Sequence, residues 1–171
     1  MSRPVAVLVG PPGAGKTTIG GLLARKLGVA FRDVDHDIEA TAGKSVSDIF
    51  VDDGEEAFRA LEAAAVVRAL GTHEGVLALG GGAVLDPVTR AALRGHQVVY
   101  LRVGLAEAVN RTGLNTARPL LAMNPRATLR TLLAQRAPLY AEVAAVTVET
   151  DGRKPDEITS DVLTRLAEVP A

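Results

Sequence analysis

Three features of the chain predict an α/β fold with a parallel sheet covered by helices on both faces. Short, almost wholly apolar, β-branched runs such as "PVAVLVG" (4–10) read as strands buried on both sides. They alternate about five times with longer stretches of helical period, as βαβ units do. The first such run passes through a glycine-rich turn directly into a helix. In sheets of this kind, ligands gather beyond the carboxyl ends of the strands.

The elements follow in order. After the strand at 4–10, "GKTTIGGLLARKLG" sets Ile19, Leu22, Leu23 and Leu27 on one helix face and stops at Gly28. "VAFRDVD" reads as a second strand. "SVSDIF" offers Ser45 as a helix N-cap with Asp48 three residues on, and "EEAFRALEAAAVVRAL" is a strong helix by propensity, ending at Gly71. "GVLALGGG" supplies a third strand, and "DPVTRAALRG" a short helix with Asp86 as cap and Pro87 at its first position. "QVVYLRV" is a fourth strand, and the helix of "LAEAVNRTG" runs into the irregular "LNTARPLLAMNPRA". The helix of "TLRTLLAQRAPLYAEVA", the strand "AVTVET" and a helix starting near Pro155 and Asp156 complete the chain.

Composition excludes several classes of protein. At 171 residues, 47% hydrophobic and 23% charged, the chain suits one globular domain with a full core and not a disordered segment. A formal net charge of -1 gives no global field for nucleic acid or anionic membrane, so an anion must be held by locally placed Arg and Lys. With no cysteine, disulfides and thiolate metal sites are excluded. No apolar run suits a signal peptide or a membrane span, and the expectation is a cytoplasmic monomer that binds neither nucleic acid nor membrane.

"GPPGAGKT" (10–17) fits G-x-x-x-x-G-K-[ST] between a strand and a helix, the context this phosphate loop requires. Gly13 and Gly15 let main-chain N–H groups turn inward around phosphate oxygens, and the helix N-terminus adds its positive dipole end. Lys16 can bridge β- and γ-phosphates, while the Thr17 hydroxyl can ligate Mg²⁺. A dinucleotide fingerprint on the same glycines fails because position 18 is Thr18.

The phosphate acceptor must be sought elsewhere. Asp33 and Asp35 in "FRDVDHD" lie two apart, so on an extended segment they share a side. One carboxylate can serve the metal shell and the other can accept a hydrogen bond from an incoming hydroxyl. Three consecutive glycines, Gly80, Gly81 and Gly82, end the third strand, and their backbone freedom carries an entropic cost. They suggest that something comes close to the main chain there. Arg59 and Arg136, each taken alone, read as ordinary solvated helix residues. Glu62, three residues after Arg59 on a helix, is close enough to hold its side chain.

With "GPPGAGKTTIG", "RDVDHDIE", "GEEAFRALE", "LGGGAV", "NTARPLL" and "QRAPLY" in this order and approximate spacing, the chain resembles the shikimate kinases from Val5 to about Leu166. The resemblance implies a three-layer fold of the P-loop nucleoside-monophosphate-kinase type. It would have a five-stranded parallel sheet, a mobile lid near 112–125 and an acceptor-binding helical region near 33–62, within a single kinase domain over 1–171. It implies phosphoryl transfer from ATP, with Mg²⁺, to the 3-hydroxyl of shikimate, on the route to aromatic amino acids.

Residue roles follow from the same resemblance. Asp35 would bind the acceptor hydroxyls as base or orienting group, with Lys16 and the lid's Arg118 on the phosphates. Gly13, Ala14, Gly15, Lys16, Thr17 and Thr18 would wrap the nucleotide phosphates, and Arg111, Arg153 and Pro155 would flank the adenine. Arg59, Arg136 and Gly80, Gly81 and Gly82 would form the shikimate pocket, and Asp33 would reach the metal through water, beside Thr17 as its direct ligand.

Two departures stand out. Ala78 occupies a position where the family often has Ser, which removes a supporting hydrogen bond near the metal, and Ala60 follows Arg59 where relatives can have a second Arg. The competing readings are another small-molecule kinase of this fold, such as a gluconate or nucleotide kinase, and a non-catalytic nucleotide-binding protein.

Overall fold

The computed structural model describes residues 3–112 and 125–170. Five strands, β1 (Ala6–Val9), β2 (Phe31–Asp33), β3 (Val76–Ala78), β4 (Val98–Arg102) and β5 (Val146–Glu149), form one parallel sheet in the order β2-β3-β1-β4-β5. The helices are α1 (Lys16–Leu27), α2 (Val34–Ala42), α3 (Val46–Thr72), α4 (Pro87–Ala92), α5 (Leu105–Thr112), α6 (Pro125–Val143) and α7 (Pro155–Glu168), with a short 3₁₀ turn at Ala83–Leu85.

Alternation along each central strand makes the three layers. Ala6 and Leu8 of β1, Val76 and Ala78 of β3, and Val99 and Leu101 of β4 pack with Ile19 and Leu23 of α1 and Ile158 and Val162 of α7. Their neighbours Val7, Val9, Leu77, Val98 and Tyr100 point the other way, onto Val34 and Ile38 of α2, Phe58 and Val66 of α3, and Tyr140 of α6. Both faces are apolar because both are covered.

Local signals in the sequence set several boundaries. Gly28 closes α1 in the left-handed region (φ 68°). The Ser45 hydroxyl accepts from Asp48 N at 3.1 Å, and Asp86 caps α4 ahead of Pro87. The two helical stretches expected before and after residue 54 are one element, α3, interrupted at Gly54 (φ 86°, ψ 168°). The last helix starts at Pro155, with Lys154 at its cap position and no side-chain cap bond, while Asp156 sits in its first turn.

One expectation is corrected. Asp33 and Asp35 do not share one side of a strand. β2 ends at Asp33, whose Oδ1 accepts from Asp35 N at 2.9 Å and caps α2, so Asp35 is already in the first helical turn. An aspartate able to satisfy an orphan helix N–H starts the helix earlier than apolar alternation indicates. The segment 113–124, with most of the expected lid and Arg118, lies outside the described residues.

A methyl group added at Gly75 would overlap the Ala30 carbonyl, where Val76 N donates to Ala30 O at 2.9 Å, whereas at Gly71 it would meet nothing. Gly75→Ala should therefore lower unfolding free energy in urea by about 1–3 kcal/mol. Gly71→Ala, in a helix, should be neutral or stabilising by up to about 1 kcal/mol. Equal effects at the two positions would contradict this packing.

Candidate active site

The phosphate loop and the glycine triplet leave the sheet side by side because β1 and β3 are neighbours. Leu8 pairs with Ala78, and Leu79 N donates to Leu8 O at 3.1 Å. Gly13 (φ 82°) and Gly15 (φ 94°) adopt left-handed conformations that bend the loop into α1. Lys16 Nζ donates to the carbonyls of Gly10 (2.6 Å) and Pro11 (3.0 Å), so its ammonium lies inside the loop's concavity.

Two cavities meet here. One, of about 250 Å³, is lined by Gly13, Gly15, Lys16, Thr17 and Thr18 together with Asp33, Asp35, Ala78, Gly80 and Gly81. The other, of about 360 Å³, is lined by Asp33, Asp35, Phe50, Phe58, Arg59, Glu62, Arg136 and the three glycines. Asp33, Asp35, Gly80 and Gly81 belong to both. A larger hollow of about 540 Å³ lies at the amino ends of β4 and β5, beside His96 and Ala145, and none of the expected site residues lines it.

The structure answers what comes close to the glycine triplet, and the first answer is the protein's own charged side chains. A Cβ at Gly80 would lie 2.8 Å from Asp35 Oδ1 and 3.0 Å from Glu62 Oε2. At Gly81 it would lie 3.1 Å from Pro12 Cδ of the phosphate loop, and at Gly82 it would overlap the Arg59 guanidinium. The three glycines, expected to line the acceptor pocket, line the second of these cavities and also admit Asp35, Glu62 and Arg59 to the strand end.

Arg59 is held from several sides. Its Nη1 donates to Glu62 Oε1 at 2.8 Å, and Glu55 stands 3.5 Å from Nη2 at the rim. The guanidinium carbon lies 5.8 Å from the Phe50 ring centre and 5.3 Å from that of Phe58, within cation–π range. Glu62 is 1% exposed, and burial pushes its carboxyl up to about 7 against the pull of Arg59, with Asp35 adding to the rise. Arg136, on α6, is 5% exposed, and its Nε has no hydrogen-bond partner among the described residues. A cation brought this far from water implies an anionic counterpart.

Tyr140, one turn beyond Arg136, donates its hydroxyl to the Gly81 carbonyl and so fixes the triplet's backbone. Burial pushes its phenol up to about 12, so it stays a donor at neutral pH. Tyr140, Phe50 and Phe58 are site residues that sequence reasoning missed. The signal available was proximity: two of the chain's three phenylalanines flank Arg59 in the order 50, 58, 59.

The residues expected around adenine are less closely grouped. Arg111 reaches the phosphate loop, donating to Gly13 O at 3.2 Å, to Thr150 O at 3.0 Å and to Glu107 at 3.1 Å. Arg153 pairs with Asp161 at 3.0 Å and lines neither cavity beside the loop. Pro155 opens α7, and it shares a shallow surface cleft with Thr18.

A phosphate loop whose cleft shares a wall with a cation-lined pocket, on a sheet of order 2-3-1-4-5, defines the class of P-loop kinases. The model of the family "Shikimate kinase" matches residues 12–167. The shikimate kinase of Salinispora arenicola is 63% identical over 164 residues, covering 96% of this chain and 98% of that protein. That of Thermobifida fusca is 60% identical over 156 residues, 91% of each. Among solved structures, shikimate kinase from Acinetobacter baumannii in complex with shikimate superposes with a TM-score of 0.92 at 38% identity, over 98% of this chain and 94% of that one. A gluconokinase from Sinorhizobium meliloti, at 20% identity and TM-score 0.58 over 98% and 92% of the two chains, shares the fold alone. The chain belongs to the shikimate kinase family and is a kinase.

Gly82→Ala directs a methyl group at the flexible end of Arg59, not at backbone. It should leave the melting temperature nearly unchanged while weakening acceptor binding at least about tenfold, or 1.4 kcal/mol. Unchanged acceptor affinity in a folded Gly82→Ala protein would show that Arg59 does not touch the acceptor.

Proposed function

We propose that this chain transfers the γ-phosphoryl group of ATP to the 3-hydroxyl of shikimate, giving shikimate 3-phosphate and ADP. The observation that carries the reading is the shared wall. Asp35 faces both the phosphate-loop cleft and a pocket lined by the buried Arg136 and the partly buried Arg59. Shikimate is a carboxylate with hydroxyl groups, and this pocket offers cations at depth with a carboxylate at its mouth. The relatives' names and the shikimate found with the Acinetobacter protein support the same acceptor.

Catalysis in this reading is positioning and charge stabilisation. Arg59, held by Glu62, and Arg136 take the acceptor carboxylate and so orient the ring. Asp35 accepts the hydrogen bond of the attacking hydroxyl and takes its proton as the new P–O bond forms. Lys16 exchanges its loop carbonyls for phosphate oxygens, the backbone of Gly13, Ala14 and Gly15 and the first turn at Thr17 and Thr18 enclose the phosphates, and Arg118 approaches them from the lid. Arg111, Arg153 and Pro155 bound the adenine side.

No group of three or more His, Asp or Glu side chains suited to hold a metal exists among the described residues. The oxygen donors that line the phosphate-loop cleft, the Thr17 hydroxyl and the Asp33 carboxylate, are of the hard kind that Mg²⁺ takes, and they would hold it with Thr17 as ligand and Asp33 through water. When bound, Mg²⁺ neutralises charge on the transferring group. The proposal extends to one kinase domain over 1–171, with a lid near 112–125 and an acceptor region near 33–62. It also makes the protein a monomer that acts in the cytoplasm. No helix among the described residues is long and apolar enough to cross a membrane.

The test is ADP release from Mg·ATP with shikimate, gluconate, nucleoside monophosphates and no acceptor in parallel. Turnover with shikimate alone is expected, and acceptor-independent turnover would contradict the reading. Asp35→Asn should lower kcat by about 10²–10⁴ while ATP affinity is retained. An Asp35→Asn protein with near-normal turnover would remove Asp35 from the chemistry.

A further inference from the structure

Glu62 supports Arg59, yet its setting exceeds that role. One oxygen, Oε1, accepts from Arg59 Nη1 at 2.8 Å. The other, Oε2, is buried, has no hydrogen-bond partner among the described residues, and converges with Asp35 Oδ1 on the space where a Gly80 Cβ would be. Two guanidinium groups, Arg59 and Arg136, and two carboxyl groups, Asp35 and Glu62, thus enclose a pocket of about 360 Å³. Asp33, His36 and Glu39 face the same pocket, with Glu55 at its rim.

The four inner groups balance when both carboxyls are ionised. An acceptor carboxylate adds a negative charge and competes with Glu62 for the same guanidinium. In a buried site, that surplus is costly unless a proton removes it.

We propose that Glu62 takes up a proton when an anionic acceptor occupies the pocket, so that acceptor binding is proton-coupled and Glu62 yields Arg59 to the incoming carboxylate. A proton on Oε2 also turns the orphaned acceptor into a donor toward Asp35 or the bound molecule. The pocket is already poised for this, because burial pushes the Glu62 carboxyl up to about 7.

The sign follows from linkage. An added negative charge raises the Glu62 carboxyl further, so bound and free forms differ in protonation only above about pH 7. Acceptor affinity should therefore be flat below that pH and fall as pH rises above it, by at most about tenfold per pH unit. Glu62 is a positioning residue in this account. The inference rests on shikimate as the acceptor.

The experiment is calorimetric titration of shikimate into the nucleotide-free protein at pH 7.5, in phosphate and in Tris, whose ionisation enthalpies differ. The wild-type heats should report uptake of about half a proton or more per site. Glu62→Gln, which mimics the protonated side chain, should bind with uptake near zero and with affinity flat from about pH 6.5 to 8.5. Proton uptake that survives in Glu62→Gln would place the proton on another group such as His36 and overturn the inference. Should Glu62→Gln not fold, the wild-type pH series decides, and affinity independent of pH across that range overturns it. Binding without proton uptake overturns this inference alone, while absence of shikimate binding overturns the acceptor reading and this inference with it.

Discussion

The guanidinium of Arg59, held beside the end of β3, is the constraint around which the acceptor side of the molecule is arranged. Glu62 pairs with it, Phe50 and Phe58 flank it, and Gly82 must lack a side chain to admit it. A largely buried ion pair of this kind adds little net stability, since desolvating both charges offsets much of their attraction. Its value lies in preorganisation. A cation fixed in place before the ligand arrives loses less entropy on binding a carboxylate than a free surface arginine would.

The parallel sheet supplies the second half of the arrangement. β1 lies between β3 and β4, so the loop after β1 and the triplet after β3 emerge as neighbours. Pro12 of that loop packs against Gly81, and Tyr140 fixes the Gly81 carbonyl from α6. Donor and acceptor clefts are therefore coupled through rigid backbone, with Asp35 at the seam between them. The apolar clusters on the two sheet faces hold the strand ends in register, and the polar chemistry is confined to the carboxyl edge.

Much of this was legible in the sequence. The phosphate loop, the cap at Ser45, the Asp86–Pro87 start of α4 and the Gly28 stop each carry a local chemical signal, and the structure has each where the residues place it. What periodicity could not reveal was competition between signals. Asp33 reads as a strand residue by alternation but acts as a helix cap, which moves Asp35 off the strand. The glycine triplet announced a close approach without saying by what, because the partners come from α2 and α3, far away in sequence. The upward push on the Glu62 carboxyl comes from burial, and no local pattern reports it. Tyr140 entered the site through tertiary contact alone.

The most direct test of the central claim, that Arg59 is a preplaced receptor for the acceptor's carboxylate, pairs two changes. One removes the charge from the ligand, as shikimate methyl ester, and the other removes it from the protein, as Arg59→Ala. Values of kcat/KM for all four combinations give the coupling. In the wild type, the ester should be poorer than shikimate by on the order of 10²-fold, and in Arg59→Ala that discrimination should largely disappear. A wild-type enzyme that turns over the ester as well as the acid, or a variant that discriminates as strongly as the wild type, would contradict the account.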